Sequence, residues 1–312
     1  MKKPILFIVF NRPNVTKQVF NEIKKVEPSK LYIAADGPRK NIKGEPKKCE
    51  ETRAIVEEID WDCEVNTLFR DKNLGCKKAV SGAIDWLFEN EEQGIILEDD
   101  CLPDKTFFRY CNELLEKYKD EERVMTIGGQ NIQPQRRSEN SYYFSKFMHC
   151  WGWATWRSAW KHYDVNMTSW PSAKENNRVL NEYFDDPQVI KYWEIMFDEA
   201  YSDNIDTWDY QWTYAIWENN GINILPEKNL VSNIGFGQNA THTKNENAHE
   251  ANMPKGEMGF PLIHPSKLSI NEKADSYTQS KKFNFPLHRY LLFNTIKFYK
   301  RIKKFIYESF TG

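Results

Sequence analysis

No run of about 18 uncharged apolar residues occurs in this 312-residue sequence, so no membrane-spanning helix is predicted. The six cysteines, Cys49, Cys63, Cys76, Cys101, Cys111 and Cys150, form no CxxC pair. That argues against zinc and a disulfide framework, and for reduced thiols in a cytoplasmic protein. The formal net charge is only −2, which leaves no global field to hold nucleic acid. Internal repeats and low-complexity tracts are missing as well. The opening apolar stretch, Pro4 to Phe10, is too short for a secretory signal core and ends at Asn11-Arg12-Pro13, so it reads as a strand.

What the chain has in excess is aromatic rings: 14% of residues, with 11 Trp, many of them between Tyr142 and Trp217. Flat rings suit the apolar faces of sugars, and they equally fill a core.

The first 130 or so residues alternate strand-like and helix-like segments. Ile5 to Phe10, Leu31 to Ala35, Glu64 to Phe69, Gly94 to Leu97 and Val124 to Ile127 read as strands. Helices are expected after Pro13, over Glu50 to Ile59, after Asn73-Leu74-Gly75, and over Asp104 to Tyr118. This order predicts an α/β fold with a mostly parallel sheet flanked by helices. Ligands of such sheets bind at the carboxyl ends of the strands, where Arg12, Asp36, Arg70 and the Glu98–Asp100 cluster fall. One domain is expected over 1–243, divided near residue 130 into an alternating half and an aromatic-rich half. A polar loop or linker is expected over 244–282 and a basic amphipathic helical tail over 283–312.

The sharpest feature is Gly94-Ile95-Ile96-Leu97-Glu98-Asp99-Asp100, an apolar run that ends in three carboxylates. Adjacent anions repel, so a positive group belongs among them, and Mg²⁺ or Mn²⁺ prefers oxygen ligands of this kind. A solvated acidic turn with Asp104 capping the next helix is the alternative. Strand alternation puts Glu98 and Asp100 on one side and Asp99 on the other if the strand persists that far. Asp36 either offers its carboxylate to a ligand or makes an Asx-type turn with Gly37. The fork of Arg12 suits a phosphate, and a cation at a helix start opposes the helix dipole. The amides after Asn73 and Gly75 open a helix that carries Lys77 and Lys78, and such a start faces an anion well; Lys78 is a candidate contact.

With these landmarks the chain resembles a GT-A glycosyltransferase. The likeness is carried by Phe10-Asn11-Arg12-Pro13, Asp36-Gly37, Asn73-Leu74-Gly75, Leu97-Glu98-Asp99-Asp100 with Pro103, Asp104 and Phe108, then Gly152-Trp153, Trp208-Asp209 and Gly235-Phe236-Gly237. It is nearest to the N-acetylglucosaminyltransferase I-like family and its bacterial relatives, and it spans roughly residues 4–240. The resemblance implies a nucleotide-binding half before residue 130 and an acceptor half after it. It implies that Asp100 holds Mn²⁺ (or Mg²⁺) beside the donor diphosphate, that Glu98 and Asp99 contact nucleotide or orient neighbours, and that Asp36 meets uracil or ribose. Asp209 would be the general base of an inverting transfer, and Trp208 would pack on the transferred sugar, with Trp153 or Trp151 as a floor. Asp209 as a helix cap, and Asp203 or Asp206 as rival bases, stay open. The donor implied is a UDP-sugar, with UDP-N-acetylglucosamine the first choice, and the acceptor a surface glycan or a lipid-linked glycan.

Gly235-Phe236-Gly237 supplies flexible backbone that could close over a donor, and His242 just beyond is a further metal-ligand candidate beside the plainer reading of a surface histidine. The stretch from Lys281 to Gly312 segregates Leu292, Ile296, Tyr299, Ile302 and Ile306 from Lys297, Lys300, Arg301 and Lys304 on a helical wheel. Such a helix lies on an anionic membrane surface or docks on the protein's own core, making the protein cytoplasmic and peripheral in the first case. Two rivals remain. A sugar-phosphate nucleotidyltransferase would need a glycine-rich phosphate loop where Asn11-Arg12-Pro13 stands. A non-catalytic glycan-binding protein would need no base.

Overall fold

The computed structural model describes residues 3–176, 178–237 and 250–283. Strand β1 (Ile5–Val9) is buried at every position because its alternate side chains enter two different cores. Ile5, Phe7 and Val9 join one cluster, and Leu6 and Ile8 the other. A strand covered on both faces needs no polar alternation, which is why it reads as a continuous apolar run. Helix α1 (Pro13–Lys24) places proline in its first turn, where a missing N–H costs nothing, and buries Thr16, Val19, Phe20 and Ile23.

The alternation continues through β2 (Lys30–Ala35), α2 (Glu45–Arg53), β3 (Glu64–Phe69), α3 (Gly75–Asn90) and β4 (Gln93–Glu98). Then come β5 (Cys101–Pro103), α4 (Phe107–Lys117), β6 (Val124–Gly128), β7 (Tyr142–Ser145) and β8 (Trp153–Trp156). Four helices follow: α5 (Arg157–Trp160), α6 (Trp170–Glu175), α7 (Arg178–Tyr183) and α8 (Pro187–Tyr201). The chain goes on with α9 (Asp209–Glu218), β9 (Ile222–Pro226), β10 (Val231–Asn233) and α10 (Glu272–Lys282). The helix expected over Glu50 to Ile59 begins earlier, at Glu45, and tightens into a 3₁₀ turn at Ala54–Glu58.

Among the described residues the main sheet has eight strands in the order β3-β2-β1-β4-β8-β6-β9-β7. Strands β3, β2, β1 and β4 run parallel, as do β6 and β9, whereas β8 and β7 run against their neighbours. This is the mostly parallel, helix-flanked sheet of a GT-A-like architecture. Strand β8 belongs to the aromatic-rich half yet sits between β4 and β6, so the two halves share one sheet. A separate ribbon pairs β5 with β10 and brings the chain after Asn233 back to the acidic turn. No helix among the described residues is long and apolar enough to cross a membrane.

One sequence expectation changes. The stretch 244–282, read as a polar loop, ends in helix α10, which buries only Ala274, Asp275 and Thr278. Asn271 caps it by accepting from the Ala274 N–H, and Asp275 fastens it to the sheet by accepting from Ser145 Oγ at 2.6 Å and the Lys146 N–H at 2.8 Å. A helix held by polar contacts leaves no apolar periodicity to read. Beyond Phe283 the basic tail lies outside the described residues, as does His242.

Candidate active site

The carboxyl ends of β1, β2 and β4 border a cleft of ≈ 270 Å³. Arg12, Asp36, Asn73, Gly75, Glu98, Asp99 and Asp100, picked out in the sequence, all line it. Convergence at strand ends is what an open parallel sheet provides, since each strand delivers its next loop to the same edge.

Strand β4 stops at Glu98, so alternation does not extend through the acidic turn and Asp99 and Asp100 both reach Arg12. Arg12 donates from Nε to Asp99 Oδ2 at 3.2 Å and from Nη2 to Asp100 Oδ2 at 2.9 Å, with a further contact from Nη2 to Asp99 Oδ1. Burial works against the guanidinium's charge, but Asp99 and then Asp100 more than offset it, and its pKa is raised. At Glu98 it is the neutral form that gains. Burial first, then the charges of Asp100 and Asp99, push its carboxyl up to about 8 against the pull of Arg12, and Asp209 adds to the push. The Ile234 N–H donates to the Asp100 carbonyl at 2.9 Å, which lays Gly235 against the Asp100 and Arg12 side chains. A Cβ on Gly235 would collide with both, so backbone alone fits there.

Asp36 spends its carboxylate on the protein. It accepts from the N–H of Gly37 at 2.9 Å, from the Leu74 N–H at 3.0 Å and from Asn73 Nδ2 at 2.8 Å. The carboxylate thus holds the turn into Gly37 and the start of α3 together, with Asn73 as one of its donors. Burial raises the Asp36 pKa despite these donors. Arg39 also borders the cleft, held by buried Glu45, which accepts from Asn11 Nδ2 as well. Its role was not visible in sequence, because only the turn after β2 brings it round.

The start of α3 holds an anion, and the anion is the protein's own. Asp206, from the loop between α8 and α9, accepts from the Cys76 N–H at 2.9 Å and the Lys77 N–H at 2.8 Å. Lys77 is buried and pairs with Asp203 at 2.6 Å. Lys78 is exposed and faces a different surface hollow, with Asp85 and Tyr163, so it does not border the cleft.

Trp153 and Trp208 are likewise not among the cleft-lining residues. They are 0% and 3% exposed and stack on each other with centroids 5.4 Å apart, inside an aromatic cluster with Trp160 and Trp212. Trp153 on β8 and Trp208 at the start of α9 are committed to the core. Trp151 lines the cleft in their place, edge-on to Phe236 at 5.6 Å. Gly152, at φ +65, turns the chain between Trp151 and β8, so strand alternation does not link Trp151 to Trp153. Asp209 is the first residue of α9, receives the Thr207 hydroxyl, and makes no cap to its own helix.

Asp99 and Asp100 share one guanidinium, Glu98 lines the cleft beside them, and the charge of Asp209 reaches Glu98; this excess of negative charge suits a cation. The donor atoms are all oxygen, the chemistry that Mn²⁺ or Mg²⁺ takes. Among the described residues no three His, Cys, Asp or Glu side chains converge as a ready cage. A cation here would rest on Asp100, with a diphosphate and water completing its shell, as hard cations at phosphate sites do.

No protein-family model matches the chain, and no curated protein matches it. Solved structures give distant likenesses. S. aureus TarS residues 1–349 is 10% identical with a TM-score of 0.42, over 74% of this chain and 59% of that one. The mannosyltransferase PcManGT from Pyrobaculum calidifontis, in complex with GDP-Man and Mn²⁺, is 10% identical with a TM-score of 0.35, over 70% of each chain. A UDP-glucose pyrophosphorylase complexed with UDP-glucose is 14% identical with a TM-score of 0.28, over 46% of this chain and 62% of that one. The chain thus spans less than two thirds of the TarS fragment, and at these TM-scores the likenesses carry no weight for function.

Proposed function

We propose that the chain is a glycosyltransferase that moves a sugar, GlcNAc as first choice, from a UDP-sugar to a hydroxyl of a surface-glycan acceptor, with Mn²⁺ or Mg²⁺ and with inversion. The observation that carries this reading is electrostatic. The acidic turn at the end of β4, which comes from one half of the sheet, lies within charge reach of Asp209 from the other. A cation-seeking cluster in the cleft, and a separate carboxylate that does not line the cleft but whose charge reaches Glu98, are the two groups this reading assigns to an inverting transfer.

In this reading Asp100 carries the cation, which supplies charge neutralisation to the departing diphosphate. Arg12 holds the acidic turn and brings positive charge to the same place. Asp36 and Asn73 shape the nucleotide end of the cleft. Trp151 offers its ring to the sugar, and the backbone at Gly235 covers the diphosphate side and excludes water. Asp209 takes the proton from the acceptor hydroxyl as its oxygen attacks the anomeric carbon, and a single direct displacement inverts that carbon. UDP and GlcNAc rest on the motif resemblance. A lipid-linked acceptor, with the basic tail on an anionic membrane, extends the same proposal.

A thermal-shift panel of nucleotide sugars, with and without Mn²⁺, tests it. UDP-sugars are expected to raise the melting temperature, and to do so more with the metal. Stabilisation by a nucleoside triphosphate with a sugar phosphate, and not by UDP-sugars, would favour nucleotidyl transfer and overturn the reading.

A further inference from the structure

Helix α3 begins without a cap of its own, since the residue before it, Leu74, has no side chain able to accept a hydrogen bond. The need is met from 130 residues away in the sequence. Asp206 places one carboxylate oxygen on the Cys76 N–H and the other on the Lys77 N–H, the second and third amides of the helix. Gly75 makes room, for its φ is +81 and a Cβ there would stand 2.7 Å from Asp206 Oδ2. Three residues beyond Asp206 is Asp209, and Thr207 between them donates its hydroxyl to Asp209. On the other side, Leu74 and Asn73 donate to Asp36 at the donor end of the cleft. Asp36, Asn73-Leu74-Gly75, Cys76-Lys77, Asp206, Thr207 and Asp209 thus form one unbroken path of peptide and hydrogen bonds between the two halves.

We propose that Asp206 is a positioning residue that ties the placement of Asp209 to occupation of the nucleotide end of the cleft. The proposal rests on the reading of Asp209 as base and of the cleft as a nucleotide site. A nucleotide that settles against the Asp36 turn fixes the start of α3, and Asp206 passes that order to the loop that carries Asp209. Reacting groups tolerate little misplacement, so loosening this link acts on turnover more than on donor binding.

The test measures hydrogen exchange over residues 203–212 with and without UDP and Mn²⁺, in the wild type, Asp206→Ala and Asp206→Asn, beside kcat and donor KM. Nucleotide is expected to slow exchange in this segment of the wild type. In Asp206→Ala that response is lost and kcat falls by about 10- to 100-fold, with donor KM nearly unchanged. Asp206→Asn keeps one acceptor oxygen, is the variant to use if the alanine form does not fold, and is expected to lie between. Bound UDP with the same exchange response in wild type and variants, or a variant that changes donor KM alone, would overturn the proposal and leave the functional reading standing. Failure of UDP to bind the wild type at all would overturn the functional reading, and the proposal with it.

Discussion

The guanidinium of Arg12 is divided between Asp99 and Asp100, donating through Nε to Asp99 and through Nη2 to both. The cleft therefore carries its own internal cation on two of the carboxylates that line it.

Removing that cation leaves Asp99, 4% exposed, without its partner. Arg12→Ala is expected to destabilise the fold by about 3–5 kcal/mol, as loss of one member of a buried pair does, and to weaken UDP binding. Arg12→Lys restores the charge but not the fork and recovers only part of the loss. Urea denaturation of the three proteins reads this directly; equal stability of Arg12→Ala and wild type would refute the pairing.

Asp209 accepts from Thr207 and reaches Glu98 only through its field, so its carboxylate is not consumed by capping α9. Asp209→Asn keeps shape and removes basicity. Transfer is expected to fall by about 10²- to 10⁴-fold with donor affinity intact. Transfer at the wild-type rate would leave only a binding or structural role.

Asp275 anchors α10 to the sheet, and burial is the main reason its carboxyl is pushed up from 3.8 to about 7. In the fold it holds its proton where the unfolded chain has lost it. Its contribution to stability is therefore fully present below about pH 4 and is lost as the pH climbs through about 7. Asp275→Asn costs something at every pH, because its amide cannot accept from both Ser145 and Lys146, but it does not titrate. The melting temperature of the wild type, relative to this variant, is expected to fall between about pH 4 and pH 7. A constant difference across that range would contradict the shift.

The sheet was legible because β1, β2, β4 and β6 are covered on both faces, and continuous apolar runs are what double coverage demands. The polar residues that follow such runs fell on one edge for the same topological reason, so Arg12, Asp36 and Glu98–Asp100 were found together. What sequence did not reveal depends on long-range pairing. Asp206 looked like a rival base and is a helix cap for α3, since its amide partners lie 129 and 130 residues away. Trp153 and Trp208 looked like sugar platforms and stack in the core, while Trp151 takes the cleft because Gly152 turns the chain between them. Helix α10 escaped because charged and hydroxyl groups, not an apolar stripe, hold it.

Calorimetric titration of UDP into wild type and Asp100→Ala, each with and without Mn²⁺, bears most directly on the cation bridge at the end of β4. Mn²⁺ is expected to tighten UDP binding to the wild type by about tenfold or more, a gain of about 1.4 kcal/mol, and to do nothing for Asp100→Ala. The same gain from Mn²⁺ in both proteins would contradict the placement of the metal on Asp100.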